Sequence, residues 1–363
     1  MTAPLITFPT PSTAVASTTA RLAHITPNWF TTVMGTGIVA VAAAELPIDG
    51  PGIRVLGTAM WLLSVVVFLA VSTAFALHWS RHRGCARAYA RHETLAHFYG
   101  APAMAAMTVG AGTLLHAAPI MGSTGALLAD AVLWTAGTAA GVVTLLVVGA
   151  GSLRRPGRGG PAAPTRMMSV VAPMVSASTG ALLAAHIADA AAAHLILVIS
   201  VIMFAASLVA GGATAVAVVG RMVRVGGPRG AAAPTVWIPL GMMGQSVTAA
   251  VALGAAYDTS AVHALALGAG GVFAGLAAVT IAVAITVTAG AARRGLPFSM
   301  TWWSFTFPVG TCVTGASALG KATGFRALDD IAVIGFVILF AAWAVVATRT
   351  ITAVSRGDLP AAP

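Results

Sequence analysis

Ten apolar runs separated by short clusters of arginine take up almost all of this chain. They cover approximately residues 28–45, 53–78, 98–118, 124–151, 167–188, 192–222, 234–256, 261–291, 301–320 and 328–352. Each is long enough to cross a hydrocarbon layer of ~30 Å as a helix. Lipid offers backbone groups no partner, so runs of this kind are expected to close their own hydrogen bonds as helices. With 58% hydrophobic and only 8% charged residues, 363 residues cannot make an ordinary soluble domain. The expected fold is an all-α polytopic membrane protein with a ten-helix transmembrane domain over 25–354. It is flanked by a disordered cytoplasmic tail (1–24) and a short one (355–363).

The arginines set the expected orientation. With the amino terminus inside, 16 of the 19 basic residues fall on cytoplasmic segments, and only Arg54, Lys321 and Arg326 fall outside. This follows the positive-inside rule and puts both termini in the cytoplasm of a cell whose inner membrane holds the chain. The net charge of +10 is therefore read as topology, with membrane lipid as its partner and no nucleic acid. Cys85 and Cys312 are expected at different depths and unpaired. No catalytic constellation, metal cluster or cofactor motif is present: GAGGVFAG at 268–275 lies inside an apolar run, and PGRGGP at 156–161 lacks a Walker lysine.

Proline carries an internal repeat. Pro102, Pro173, Pro239 and Pro308 lie early in odd-numbered segments, 71, 66 and 69 residues apart. Five parallel hairpins account for the chain, the first having Pro27 at its entrance and Gly35 within. The four prolines and Gly35 are expected to kink the odd helices, with the last bend near Ser304 to Pro308. Five kinked helices in quasi-five-fold arrangement would then form an inner ring around a pore.

Aligned on the prolines, the odd segments share two columns. Six residues on stand Thr108, Thr179, Gln245 and Thr314, joined by Thr36 in the first segment; these either line a pore together or bond their own helices. Just before the prolines stand Ala101, Ala172, Ile238 and Phe307. One large ring among smaller residues is how a hydrophobic gate is built, although an aromatic beside a bend also serves plain packing.

Near the far ends, His116, His186 and Lys321 are candidates for a basic outer vestibule or for ordinary interfacial residues. No ionisable group lies near the middle of an odd segment, and Glu45, Asp130, Asp189 and Asp258 are expected close to the outer surface. That absence favours an uncoupled conduit for anions over a proton-coupled carrier, which remains the alternative. The glycine pairs Gly137/Gly141 and Gly271/Gly275, on even segments, mark expected close helix approaches.

Three motifs carry a resemblance: PNWFTTVMGTGI at 27–38, FYGAPAM at 98–104 and WWSFTFP at 302–308. With them the chain resembles the tellurite-resistance/dicarboxylate transporter family, which includes tellurite-resistance permeases, malic acid permeases, sulfite efflux pumps and plant slow anion channels. The resemblance implies five quasi-symmetric hairpins, a pore in each protomer and a homotrimer. It places the gating phenylalanine at Phe307. The MGTGI stretch is similar to the malate and sulfite branch, so the expected solute is a C4-dicarboxylate such as malate, or sulfite.

Overall fold

A computed structural model describes residues 22–154, 163–257 and 259–357. The expected tails over 1–21 and 358–363, the PGRGGP loop with Arg155 and Arg158, and Asp258 lie outside the described residues. Among the described residues every regular element is helical. Ten long helices follow one another: α1 (Phe30–Glu45), α2 (Pro51–Arg81), α3 (Gly100–His116), α4 (Ala118–Thr144), α5 (Met168–Ala184), α6 (Ala190–Val225), α7 (Ile238–Ala255), α8 (Ser260–Ala292), α9 (Phe307–Thr323) and α10 (Arg326–Arg356). Past Thr144 a π turn, Leu145–Gly149, carries α4 on to Arg154. Eight helical stretches are long and apolar enough to cross a membrane; α1 and α9, at 16 and 17 residues, are not among them.

Odd and even helices differ in both length and burial. The odd ones have 16 to 18 residues and the even ones 27 to 36. Of the apolar windows, 83%, 89% and 72% is buried for the stretches containing α3, α5 and α7, against 11% to 22% for the even helices. Composition explains the division. Alanine, glycine, methionine and small hydroxyl residues let the odd helices pack on every side, while exposed leucine, isoleucine and valine are concentrated on the even helices and absent from the odd ones. This outward apolar surface suits lipid.

Contacts among the odd helices run α1 to α3 to α5 to α7 to α9 and back to α1. Each even helix rests on two of them: α2 on α1 and α3, α4 on α3 and α5, α6 on α5 and α7, α8 on α7 and α9, and α10 on α9 and α1. Indoles fasten three of these seams. Trp61 Nε1 of α2 donates to Thr113 Oγ1 of α3 (3.0 Å), Trp134 Nε1 of α4 to the Ser176 carbonyl of α5 (2.9 Å), and Trp343 Nε1 of α10 to Thr36 Oγ1 of α1 (3.1 Å). A buried indole without such an acceptor is costly, so these bonds fix which face each even helix presents.

The prolines act differently from the expected mid-helix kinks. All five odd helices are led in by a 3-10 segment: Pro27–Trp29, Leu95–Tyr99, Pro164–Met167, Gly230–Trp237 and Met300–Phe305. Pro102, Pro239 and Pro308 then fall within the first three residues of their α-helices, where a missing N–H breaks no hydrogen bond. Only Pro173 lies deeper, as the sixth residue of α5. Winding changes at Thr306 (φ −105°, ψ −74°), between the last 3-10 segment and α9.

Gly35 is a further correction, because α1 runs through it as uninterrupted α-helix. A Cβ there would meet Thr306 Oγ1 and lie 2.6 Å from Trp303 Cε3, so its glycine admits the turn that precedes α9. Of the glycine pairs, Gly137 and Gly141 do pack closely on the Ala103–Met107 stretch and Ala172, whereas Gly271 and Gly275 have no neighbour within 4 Å. The end of the expected disordered tail is also held: the Leu22 carbonyl accepts from His78 Nδ1 at 2.9 Å.

Candidate functional site

All five odd helices contribute to one small cavity near their proline ends. Met34 of α1, Met104 of α3, Val171 of α5, Gly241 of α7 and Phe307 of α9 border it, one from each helix. No charged side chain lines it. Its hydroxyls come from Thr31, Thr301 and Ser304, of which Thr31 donates to the Asn28 carbonyl and Thr301 to the Ala231 carbonyl. A solute here would meet mostly thioether and hydrocarbon, with a few hydroxyl dipoles.

Phe307 is buried at 6% exposure and stands on this cavity as the first residue of α9. The turn ahead of it is pinned on three sides. Trp303 Nε1 donates to Thr350 Oγ1 of α10 at 3.1 Å, Thr306 Oγ1 donates to the Trp303 carbonyl at 2.7 Å, and Gly35 makes room for both residues on α1. Beside Phe307, Pro308 lies against Gly241, whose Cβ would sit 3.6 Å from the proline ring. Within its column, Ile238 also borders the cavity, while Ala101 and Ala172 do not.

The polar column lies further along the odd helices, and none of its five residues lines the cavity. Thr36, Thr108 and Thr179 each donate to the carbonyl four residues back at 2.7 Å, and Thr314 donates to the Thr311 carbonyl at 3.0 Å. What remains of their capacity goes to helix seams. Thr36 receives Trp343, Thr314 meets Thr248 of α7 at 3.1 Å, and Gln245 of α7 accepts from Ser178 of α5. Three of the five thus bond a neighbouring helix, while Thr108 and Thr179 bond only their own.

The basic vestibule is not assembled either. His116 is buried and faces α1 and α2, with Nε2 3.0 Å from the Ala40 carbonyl and the ring against Gly57. His186 is exposed and bonds its own helix at the Leu182 carbonyl. Lys321 reaches Glu45 at 3.6 Å, so the charge at that end is balanced across α9 and α1. Asp130, expected toward the outer surface, has no exposed surface and packs inside the α3–α4 seam.

Sequence reasoning missed the cavity's methionines and Ser304. Met34, Met104 and Met168 recur at the proline ends of three odd helices, and that recurrence was the available signal.

Relatives match this chain in sequence over more than nine-tenths of its length. An uncharacterised transporter of Methanocaldococcus jannaschii is 24% identical over 338 residues, 93% of this chain and 95% of that protein. A sulfite efflux pump of Arthroderma otae is 23% identical over 344 residues, 91% of each, and one of Arthroderma benhamiae 21% over 341 residues, again 91% of each. The family model described as voltage-dependent anion channel matches residues 24–351. That span takes in all three resembling motifs, and the family's members are channels and transporters, not enzymes. A helical membrane protein matched from just before α1 to the last turns of α10 thus belongs to the voltage-dependent anion channel family.

Proposed function

We propose that the chain conducts small anions across the membrane through a pore on the axis of the five odd helices, with Phe307 as its gate. On this reading all ten long helices span the bilayer as five hairpins. The observation that carries it is the position of Phe307 on a cavity bordered by every odd helix. A mostly apolar passage with hydroxyl dipoles and no fixed charge suits an anion that is neither trapped by a cation nor repelled by a carboxylate. Sulfite is the leading solute, because two relatives are sulfite efflux pumps, and a C4-dicarboxylate such as malate follows. The solute's own gradient and the membrane potential drive the flux.

On the same reading the protein acts in the cell's inner membrane with both termini in the cytoplasm, an orientation the arginine distribution supports, and assembles as a homotrimer with one pore per protomer. Anion flux into liposomes holding the purified protein tests the reading, with sulfite, malate, nitrate and chloride compared. Phe307→Ala is expected to raise the flux of the favoured anion. Silence of both the wild type and Phe307→Ala toward every anion would refute it. A proton-coupled carrier is the second reading, favoured by the buried Asp130; it requires uptake to collapse when the proton gradient is removed at fixed membrane potential.

A further inference from the structure

Asp130 has no exposed surface, and neither carboxyl oxygen has a hydrogen-bond partner in the protein. It projects from α4 onto Gly110 of α3 so closely that a Cβ on Gly110 would collide with Oδ1, with Leu133 Cβ only 3.2 Å away. Polar groups nearby are committed elsewhere. Trp134, one turn along α4, donates to the Ser176 carbonyl, and Thr113, one turn along α3, donates to the Val109 carbonyl and receives Trp61.

Nor does a counter-charge face it. Asp130 is the one ionisable residue of α4, and α5 has none. On α3 there is only His116, which is turned to the Ala40 carbonyl of α1. Ion pairs among the described residues are Arg54 with Asp49 and Lys321 with Glu45, both elsewhere. A carboxylate stripped of water, donors and cations is far costlier than the neutral acid in the same place.

We infer that Asp130 is a proton-binding site, a carboxyl that holds its proton while α3 and α4 are packed and releases it only when that seam admits water. Asp329 supplies the contrast within the same chain. It meets Gly320 of α9 as Asp130 meets Gly110, and its Oδ1 is likewise buried without a partner, yet the residue is partly exposed at the start of α10 whereas both carboxyl oxygens of Asp130 are buried. By linkage, alkaline conditions favour the loosened α3–α4 seam and acid favours the packed one. Because α3 also presents Met104 to the cavity, proton occupancy is tied to the position of one cavity wall.

Infrared spectroscopy of the purified protein tests this without any measurement of flux, so its outcome is independent of whether the chain conducts anions. With nine acidic residues in the chain, the spectrum is simple enough to assign. At about pH 7 the wild type is expected to show the carbonyl stretch of one protonated carboxyl per chain, retained in Asp329→Asn and lost in Asp130→Asn. A wild type without that band, or a band that survives in Asp130→Asn, overturns the inference. Should Asp130→Asn not fold, the wild-type titration decides alone. Loss of the band near pH 4, where an exposed aspartate ionises, overturns it, and persistence to neutral pH supports it.

Discussion

Replacing Gly244 by alanine puts a methyl group where α7 and α9 meet backbone to backbone. The new carbon would lie 2.5 Å from the Thr311 carbonyl carbon and 2.7 Å from the Cys312 nitrogen, and closer still to Thr311 Oγ1. Ordinary contact begins near 3.4 Å, so the helices must separate by about 0.9 Å. No rotamer change relieves a clash with backbone, and Gly315 on the facing helix, whose own Cβ would sit 3.0 Å from the Gly244 carbonyl, leaves no slack. Overpacking a close-packed interior costs about 1–3 kcal/mol, and this case belongs at the upper end. Against that, alanine gains about 1 kcal/mol over glycine in a helix interior. The net loss is about 2 kcal/mol, a fall of roughly 3 °C in Tm for a chain of this length.

Thermal unfolding in one detergent, followed by tryptophan fluorescence, reads this directly. Gly212→Ala is the control, because Gly212 of α6 has nothing within 4 Å and takes the helix gain without the clash. Gly244→Ala is expected well below the wild type and Gly212→Ala at or slightly above it. Equal Tm values for the two variants would refute the argument that glycine is required for the ring of odd helices to close.

Other substitutions probe different layers. Thr113→Val leaves the buried Trp61 indole without its acceptor and should cost about 1–3 kcal/mol, seen as a lower Tm with little change in helix content. Lys321→Gln breaks a half-exposed pair and should alter stability by no more than about 0.5 kcal/mol, with any difference vanishing in high salt. Phe307→Ala should raise anion flux while costing less than the roughly 3–5 kcal/mol of a fully packed phenylalanine, because one side of the ring borders empty space. A large loss of Tm with unchanged flux would mark Phe307 as packing only.

The all-helical membrane character was legible because hydropathy acts over many residues at once, and eight of the described helical stretches are long and apolar enough to cross a membrane. Proline spacing likewise picked out four of the five odd helices that contact one another in sequence. What the chain did not disclose is how each of those helices is turned about its own axis. An odd helix is apolar on every side, so no amphipathic stripe marks the face toward the centre. That is why His116, placed by spacing at an outer rim, faces α1 and α2 instead, and why the threonine column falls in seams. The burial of Asp130 was not legible for a related reason. A lone acid in an apolar run is ordinarily set near water, and nothing in its neighbours' identities revealed that Gly110 leaves it just enough room to stay inside.

The 3-10 segments ahead of the odd helices have a mechanical consequence. A 3-10 helix rises about 2.0 Å per residue and an α-helix about 1.5 Å. Rewinding the six residues Met300–Phe305 into α form would shorten that segment by about 3 Å and draw the ring of Phe307 along the axis by a similar distance. With such a segment ahead of each odd helix, local rewinding would shift where those helices begin while the long even helices stay where they are.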